Sequence, residues 1–184
     1  MIKKVSFILF LFLFINNVQS MEHTMILKLK DGDVLIELYP DVAPNHVKRF
    51  KQLAKEKKYD GVIFHRVIEG FMAQTGDVEF GNTNSENFSI KHAGTGGSEY
   101  PDLKAEFSDL PHEKGTISMA RSGNPDSANS QFFICFESAS HLDRQYSVFG
   151  KVIKGMEYVY LIKKGLGANG QVLDPDKIIS LSAE

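Results

Sequence analysis

The chain is divided into short apolar stretches separated by turn residues, and only two stretches have the spacing of a helix. Residues 25–30 and 33–39 alternate apolar and polar side chains around Asp31-Gly32, a pair that favours a type I′ hairpin turn because both residues tolerate positive φ. Further strands are predicted at 62–74, with a bend at 69–70, and at 115–119, 131–136, 146–152 and 177–181. Many strands with few helices are typical of a β-barrel or a β-sandwich.

The first helix is predicted from Pro44 to about residues 59–61, with Val47, Phe50, Leu53 and Ala54 on one face. A second helix is predicted to begin at residues 155–156 and to end before residues 165–167. Residues 76–112 are rich in Gly, Asn, Ser, Asp and Pro and have no periodicity, so they are expected to be functional or to wrap the surface. Repeats and linkers are not evident, which predicts one domain over residues 21–184.

Residues 1–20 have the pattern of a secretory signal peptide. Two lysines precede an apolar run over residues 5–15, and a polar exit follows at 16–20, which predicts cleavage near Ser20. The run is shorter than the roughly 20 apolar residues that span a bilayer, although an uncleaved anchor remains the alternative. Removing this segment leaves 164 residues, enough for one core, and changes the formal charge from −2 to −4.

The mature chain is therefore expected outside the cytoplasm and away from nucleic acid, which usually binds a basic face. No endoplasmic reticulum retention tetrapeptide is found at residues 181–184, so a periplasmic or secreted location is favoured over the endoplasmic reticulum lumen. Asn87 would be glycosylated only in a eukaryotic secretory route. The single cysteine, Cys135, allows no internal disulfide and lies in an apolar run, which predicts a buried thiol.

Arg66 lies in the middle of an apolar strand. Alternation puts Val62, Phe64, Arg66 and Ile68 on one face, where an arginine is unfavourable without a partner or a ligand. Strand pattern alone favours a rim arginine paired with a carboxylate, and a ligand-binding arginine is the alternative. The neighbouring His65 is expected to be a hydrogen-bonded core histidine, because no second histidine has metal-ligand spacing and the sequence around Ser130 lacks a nucleophile elbow.

Two consecutive aromatic residues suggest a binding surface on the opposite side from the core. Gln131 and Phe133 share one face of the predicted strand, and Phe132 and Ile134 share the other. A small barrel would bury Phe132 and leave Phe133 outside. An outer aromatic residue beside Gln and Arg suits a site that holds an apolar ring next to a polar peptide group.

Five motifs together resemble the cyclophilin family. They are FHRVIEGFMAQTGD at 64–77, GTGG at 94–97, GTISMA at 115–120, NSQFFI at 129–134 and VFGKV at 148–152, in the order and at spacings compatible with that family. The resemblance covers nearly all of residues 24–182. It implies a mainly β fold, a closed eight-stranded antiparallel β-barrel with two capping α-helices, and peptidyl-prolyl cis–trans isomerase activity that needs neither a cofactor nor a metal.

The resemblance also implies roles for individual residues. Arg66 matches the catalytic arginine. The remaining matches are pocket walls (Phe71, Met72, Phe133, Leu142), side chains that hold the peptide backbone (Gln74, Gln131) and a main-chain contact (Ala120). Three further substrate-binding positions depart from the common pattern: Arg121 replaces an asparagine, His141 a tryptophan and Tyr146 a histidine. Weak cyclosporin binding is expected without the tryptophan. Arg121 either favours acidic residues beside the proline or is a solvated rim arginine.

The expected partners are unfolded or flexible polypeptides that contain proline. A monomer is expected, with no stable membrane association after cleavage of residues 1–20. Two other functions stay open at this point: a non-catalytic chaperone that binds proline-containing segments in the same groove, and a hydrolase that uses His65.

Overall fold

The computed structural model describes residues 23–183 as eight strands, two α-helices and one 3₁₀ turn. The elements, in chain order, are β1 (Thr24–Leu29), β2 (Gly32–Leu38), α1 (Pro44–Lys55), β3 (Arg66–Ile68), β4 (Met72–Thr75), β5 (Thr116–Met119), β6 (Phe132–Cys135), the 3₁₀ turn (Ser140–Leu142), β7 (Val148–Lys154), α2 (Met156–Tyr160) and β8 (Ser180–Ala183). The predicted signal peptide lies outside the described residues. No helix within residues 23–183 is long and apolar enough to cross a membrane.

All eight strands belong to one antiparallel sheet, in the order β3-β4-β6-β5-β7-β2-β1-β8. The mainly β class and the two helices are thus confirmed, but the closed barrel is not, because the sheet is an open, curled half-barrel. Near its end strand β3, single main-chain hydrogen bonds join residues 64–67 to the irregular segment before β8: Phe64 N–H donates to Asp176 O at 2.9 Å and Val67 N–H to Gly170 O at 2.7 Å.

The core fills the concave side of the sheet and is covered by α1. The four side chains predicted on one face of this helix are all buried, and Phe50 is fully enclosed. Its ring lies 5.0 to 5.5 Å from the rings of Tyr59, Phe132 and Phe149, within the range of favourable aromatic pairs. Burying one such side chain contributes about 1.5–3 kcal/mol, so this cluster anchors α1 to β6 and β7.

The segment 76–112 wraps the surface, which was one of the two expectations for it, and it also caps α1. Ala43, at the N-terminus of the helix, has no side chain that can cap it. Glu106 supplies the missing acceptor: its carboxylate accepts hydrogen bonds from Asn45 N–H and His46 N–H at 3.1 and 3.2 Å and lies 2.6 Å from His46 Nδ1. A carboxylate is favourable at a helix N-terminus because the free N–H groups carry partial positive charge.

Several boundaries differ from the prediction, and three of the differences have a clear structural reason. The hairpin pairs Leu29 with Gly32, so its turn is Lys30-Asp31, neither of which has positive φ. Gly32 is needed for space, since a Cβ there would lie 2.4 Å from the Tyr158 ring. The first helix ends at Lys55, before residues 59–61, and the last strand begins at Ser180 rather than at 177, because residues 170–178 pair with residues 61–67 instead.

Candidate functional site

A second group of buried side chains lies on the convex side of the sheet, outside the main core. Phe133 and Cys135 of β6 point to this side, whereas Phe132 and Ile134 point into the core, which confirms the predicted division of β6. Met72, Ala139 and Leu142 complete the group. Cys135 is fully buried as predicted, and burial raises the pKa of its thiol to about 12.

A pocket of about 140 Å³ opens on this group. Nine of the eleven residues predicted for the site line it: Arg66, Phe71, Met72, Gln74, Ala120, Arg121, Phe133, Leu142 and Tyr146. Of the other two, His141 packs its ring 5.4 Å from that of Phe71, and Gln131 lies in the neighbouring pocket.

Strand register brings the central side chains into one row. Arg66 of β3 is opposite Gln74 of β4, and Gln74 is opposite Phe133 of β6. Directly opposite residues in an antiparallel pair have Cβ atoms about 4.5–5.5 Å apart, so three strands place an arginine, an amide and an aromatic ring side by side. The sheet itself therefore assembles the site.

The Arg66 guanidinium is half-buried and has neutral partners. Its Nε donates to Asn169 O at 2.9 Å, and one terminal nitrogen donates to Gln74 Oε1 at 3.2 Å and lies 3.9 Å from Met72 Sδ. Among residues 23–183, no carboxylate lies within ion-pair distance of it, so the rim ion pair favoured by strand pattern alone is not formed. Burial lowers the pKa of Arg66, but an arginine remains charged in proteins.

A chain of amide hydrogen bonds fixes the orientation of both glutamines. Because Gln74 Oε1 accepts from the guanidinium, its Nε2 must donate, and it does so to Gln131 Oε1 at 3.0 Å. Gln131 Nε2 then donates to Gly94 O and Gly96 O at 3.1 and 2.8 Å. The chain connects Arg66 to the loop at 94–97.

Asp77, which the sequence interpretation did not single out, holds that loop in place. The residue is fully buried, and its two carboxylate oxygens accept four main-chain N–H groups, those of Glu79, Phe80, Gly94 and Gly96, at 2.7 to 3.1 Å. An acid directly after Gly76 at the end of β4 was the available sequence signal, since buried carboxylates at turns often accept nearby N–H groups.

A larger pocket of about 470 Å³ adjoins the first and shares Gln74, Ala120 and Arg121 with it. Its other lining residues are mostly polar and include the loop at 94–97 and Asp102, Ser127, Asn129 and Gln131. The two pockets adjoin along one groove, and apolar side chains contribute more of the lining residues in the smaller pocket than in the larger one.

The rim residues Arg121 and Tyr146 pack on one another. The guanidinium of Arg121 lies 4.5 Å above the Tyr146 ring and donates to the main-chain oxygens of Gln145 and Ser122 at 2.9 Å each. The Tyr146 ring in turn meets Phe133 edge-on, with centroids 5.7 Å apart. The replaced rim positions therefore lie at the edge of the groove and support its aromatic wall.

His65 differs from the prediction in its hydrogen bonding. The side chain is 7% exposed, yet neither ring nitrogen has a hydrogen-bond partner among the described residues, and burial lowers its pKa to about 4. The predicted shared face of Phe64 and Arg66 is also wrong: Phe64 lies in the main core and Arg66 lines the outer pocket, because β3 begins only at Arg66. In residues 23–183, no group of three or more His, Cys, Asp or Glu side chains is arranged to hold a metal ion.

Comparison with known proteins agrees with this geometry. The family profile for cyclophilin-type peptidyl-prolyl cis-trans isomerases matches residues 24–183. A "Probable peptidyl-prolyl cis-trans isomerase" of Brucella suis is 60% identical over 164 residues, covering 89% of this chain and 83% of the relative. Peptidyl-prolyl cis-trans isomerase B of Bacillus subtilis is 42% identical over 138 residues, covering 74% of this chain and 88% of that protein.

Solved structures with the same fold include a cyclophilin-type peptidyl-prolyl cis-trans isomerase of Cryptosporidium parvum. Two structures of that protein give TM-scores of 0.73 and 0.74 at 25% and 27% identity, each covers 88% of this chain, and they take in 98% and 97% of the matched chain. One of the two was determined in the presence of the dipeptide Ala-Pro. With the family profile matched over nearly the whole described chain, the protein belongs to the cyclophilin-type peptidyl-prolyl cis–trans isomerase family.

Proposed function

We propose that this isomerase accelerates rotation about X–Pro bonds in exported, unfolded proteins, with Arg66 stabilising the twisted amide while the smaller pocket holds the proline ring. The observation that carries the proposal is a half-buried guanidinium with neutral partners at a small pocket whose walls include the apolar side chains of Phe71, Met72, Phe133 and Leu142. The clients and the location rest on the predicted signal peptide at residues 1–20.

The reaction needs no bond to be made or broken. The peptide C–N bond has partial double-bond character, and its rotation has a barrier of roughly 18–20 kcal/mol. As the amide twists, its nitrogen becomes pyramidal and regains a lone pair. A cation that donates a hydrogen bond to this nitrogen, or to the rotating carbonyl oxygen, stabilises the twisted state more than the planar one, and only such a difference increases the rate.

The magnitude is within reach of this arrangement. A rate gain of about 10⁵ corresponds to about 7 kcal/mol, at 1.36 kcal/mol per decade. Asn169 O and Gln74 Oε1 hold the Arg66 guanidinium in its orientation before a substrate binds, so it need not reorient during the reaction. Electrostatic stabilisation is strongest under this condition. Anchoring of the ring contributes the remainder through orientation.

The size of the smaller pocket supports a single ring as its occupant. Its volume of about 140 Å³ is well below the roughly 300–1,000 Å³ of sites that enclose drug-sized ligands. Phe71, Met72, Phe133 and Leu142 give it apolar walls, and Arg66, Gln74 and Arg121 add polar groups to its lining. The preceding residues of a bound peptide would extend toward Gln74, Gln131 and the larger pocket.

The alternative is a chaperone that binds proline-containing segments without catalysis, and Arg66 discriminates between the two. A protease-coupled assay with an Ala-Ala-Pro-Phe peptide should show a loss of at least about hundredfold in kcat/KM for Arg66→Ala, the effect of removing one transition-state hydrogen-bond donor. Arg144→Ala is the matched control, since Arg144 is an exposed arginine paired with Asp109. Equal rates for wild type and Arg66→Ala would remove the catalytic assignment.

An inactive wild type that still binds the peptide, measured by NMR titration, would favour the chaperone. Export has its own test: N-terminal sequencing of the protein recovered from bacterial periplasm should give a chain that begins near residue 21. A membrane-bound protein that retains residues 1–20 would instead establish the uncleaved anchor. Gel filtration of the mature protein should give the mass of a monomer.

A further inference from the structure

His112 lies at the end of the segment 76–112, and its ring packs against Phe133, a wall of the smaller pocket. It is fully buried, and both of its ring nitrogens have partners: Nδ1 is 2.9 Å from Asp143 Oδ1, and Nε2 is 3.1 Å from Ser118 Oγ. The same carboxylate oxygen accepts the main-chain N–H of His112 at 2.8 Å. None of these residues belongs to the predicted site, and only Asp143 is partly exposed, with 34% of its side chain accessible.

The partners determine which nitrogen carries the proton. A carboxylate only accepts hydrogen bonds, so Nδ1 of His112 must carry the proton that Asp143 receives. Burial lowers the pKa of His112 despite the carboxylate, so the ring is neutral and Nε2 is an acceptor. Ser118 Oγ–H therefore donates to Nε2, which fixes the side chain of Ser118.

This hydrogen-bonded chain supports two walls of the pocket. The His112 ring lies nearly parallel to that of Phe133, with centroids 6.1 Å apart and an angle of 17°. Ser118 of β5 is directly opposite Phe133 of β6 in the sheet. Asp143 follows Leu142 in the chain, and His112 O accepts the N–H of Ala139 at 2.8 Å, so His112 also fastens the short turn that carries Leu142.

The three side chains have the spacing of a serine–histidine–aspartate triad, but they cannot act as one. Ser118 and His112 are both fully buried, so no acyl substrate can reach the Ser118 hydroxyl. A nucleophile must lie within reach of its substrate. The three residues therefore act through their hydrogen bonds and packing, and they contact the walls of the pocket.

We propose that His112 is a positioning residue for the isomerase site: with Asp143 and Ser118, it holds Phe133 and Leu142 at the spacing that the proline ring requires. The proposal rests on the function proposed above. A positioning role differs from a general contribution to stability in one respect. Loss of the His112 side chain should reduce activity in a protein that is still folded at the assay temperature.

The main test uses Asp143, because a partly exposed side chain can be changed without opening the core. Asp143→Ala should lower kcat/KM for the proline peptide about tenfold, through misplacement of the pocket walls. Asp143→Asn retains an acceptor oxygen for His112 and should restore most of the activity. His112→Gln should lower kcat/KM at least as much as Asp143→Ala.

His46→Gln is the matched control, since His46 is equally buried, has its own carboxylate partner in Glu106 at 2.6 Å and lies at the start of α1 rather than at the pocket. Its kcat/KM should stay within about twofold of wild type. If Asp143→Ala and His112→Gln lose no more activity than His46→Gln, the proposal is overturned.

The ring proton gives a readout that does not depend on activity. Long-range ¹H–¹⁵N NMR at neutral pH should show His112 protonated at Nδ1 and unprotonated at Nε2, and the opposite tautomer would overturn the hydrogen-bond assignment. An inactive wild type would refute the proposed function alone. In that case the affinity of the same variants for an Ala-Pro peptide, measured by NMR titration, would still decide whether His112 positions the pocket.

Discussion

Replacing Arg121 should change which residue the enzyme prefers next to proline. Arg121 lines both pockets, so a peptide whose proline occupies the smaller pocket must pass it. Three of its five N–H donors are used by the main-chain oxygens of Gln145 and Ser122, and two remain for a ligand. No carboxylate in residues 23–183 forms an ion pair with it.

The size of the preference follows from the exposure of Arg121. Two unit charges 4 Å apart would interact by about 4 kcal/mol at an effective dielectric constant of 20. Arg121 is only partly buried at an open rim, where measured ion pairs are worth about 0.2–1 kcal/mol. That range corresponds to a preference for glutamate over alanine of about 1.4- to 5-fold. Asp102 lines the larger pocket and not the smaller one. Its negative charge would repel an acidic residue bound there, so the preference for glutamate is expected only at the residue next to proline.

The assay compares kcat/KM for Ala-Glu-Pro-Phe and Ala-Ala-Pro-Phe peptides. The wild type should favour glutamate at 0.1 M salt and lose the preference at 1 M, where the screening length falls from about 10 to about 3 Å. Arg121→Gln should remove the preference, and the control Arg144→Gln should retain it. A ratio of one in wild type at low salt, or an unchanged ratio in Arg121→Gln, would refute the reasoning and leave a solvated rim arginine.

Three further variants test the supporting structure by urea unfolding. Burial lowers the pKa of His65 to about 4 in the fold, whereas it is about 6.5 in the unfolded chain, so the wild type should lose about 3 kcal/mol of stability as pH falls from 7 to 4. His65→Leu should flatten this dependence of the free energy of unfolding on pH, and an unchanged dependence would contradict the argument. Tyr59→Phe removes the buried hydrogen bond to Ser130 O (2.8 Å) and should lower the free energy of unfolding by about 1–2 kcal/mol, whereas no loss would mean that Ser130 O finds another donor. Asp77→Asn replaces one carboxylate oxygen, which accepts two main-chain N–H groups, with an NH2 group that can only donate. It should therefore destabilise by about 2–3 kcal/mol and speed amide exchange at Gly94, and unchanged exchange would argue against Asp77 as the anchor of the loop.

Periodicity predicted the regular parts of this fold and failed where strands are short. It separated Phe132 from Phe133 correctly, because β6 is an uninterrupted ladder between β4 and β5. It placed Phe64 and Arg66 on one face wrongly, because the chain before Arg66 forms isolated pairs with residues 81–83 and 170–178 instead of a continuous ladder. Such long-range pairing has no local sequence pattern, and for the same reason the sequence could not predict that the sheet stays open between its end strands.

The motifs located the pocket walls but not the residues that hold them. His112 and Asp77 both lie in or beside the segment with no periodicity, and their partners are distant in sequence: Asp143 is 31 residues from His112, and Gly94 is 17 residues from Asp77. A hydrogen bond of this kind depends on where loops meet in the folded chain. Sequence reasoning therefore finds the side chains that line the pocket more readily than the buried side chains that contact them from behind.

The partners of Arg66 argue against the rim ion pair that strand pattern favoured and support the ligand-binding alternative. A carboxylate partner would neutralise the guanidinium and turn it into a structural ion pair, at the cost of the field that a twisting amide needs. Asn169 O and Gln74 Oε1 instead fix its orientation while leaving its charge uncompensated. An arginine kept half-buried without a counterion is unfavourable in the free protein, and the proposed catalytic role requires a ligand acceptor that strengthens as the amide twists. The nitrogen of a twisted prolyl amide is such an acceptor.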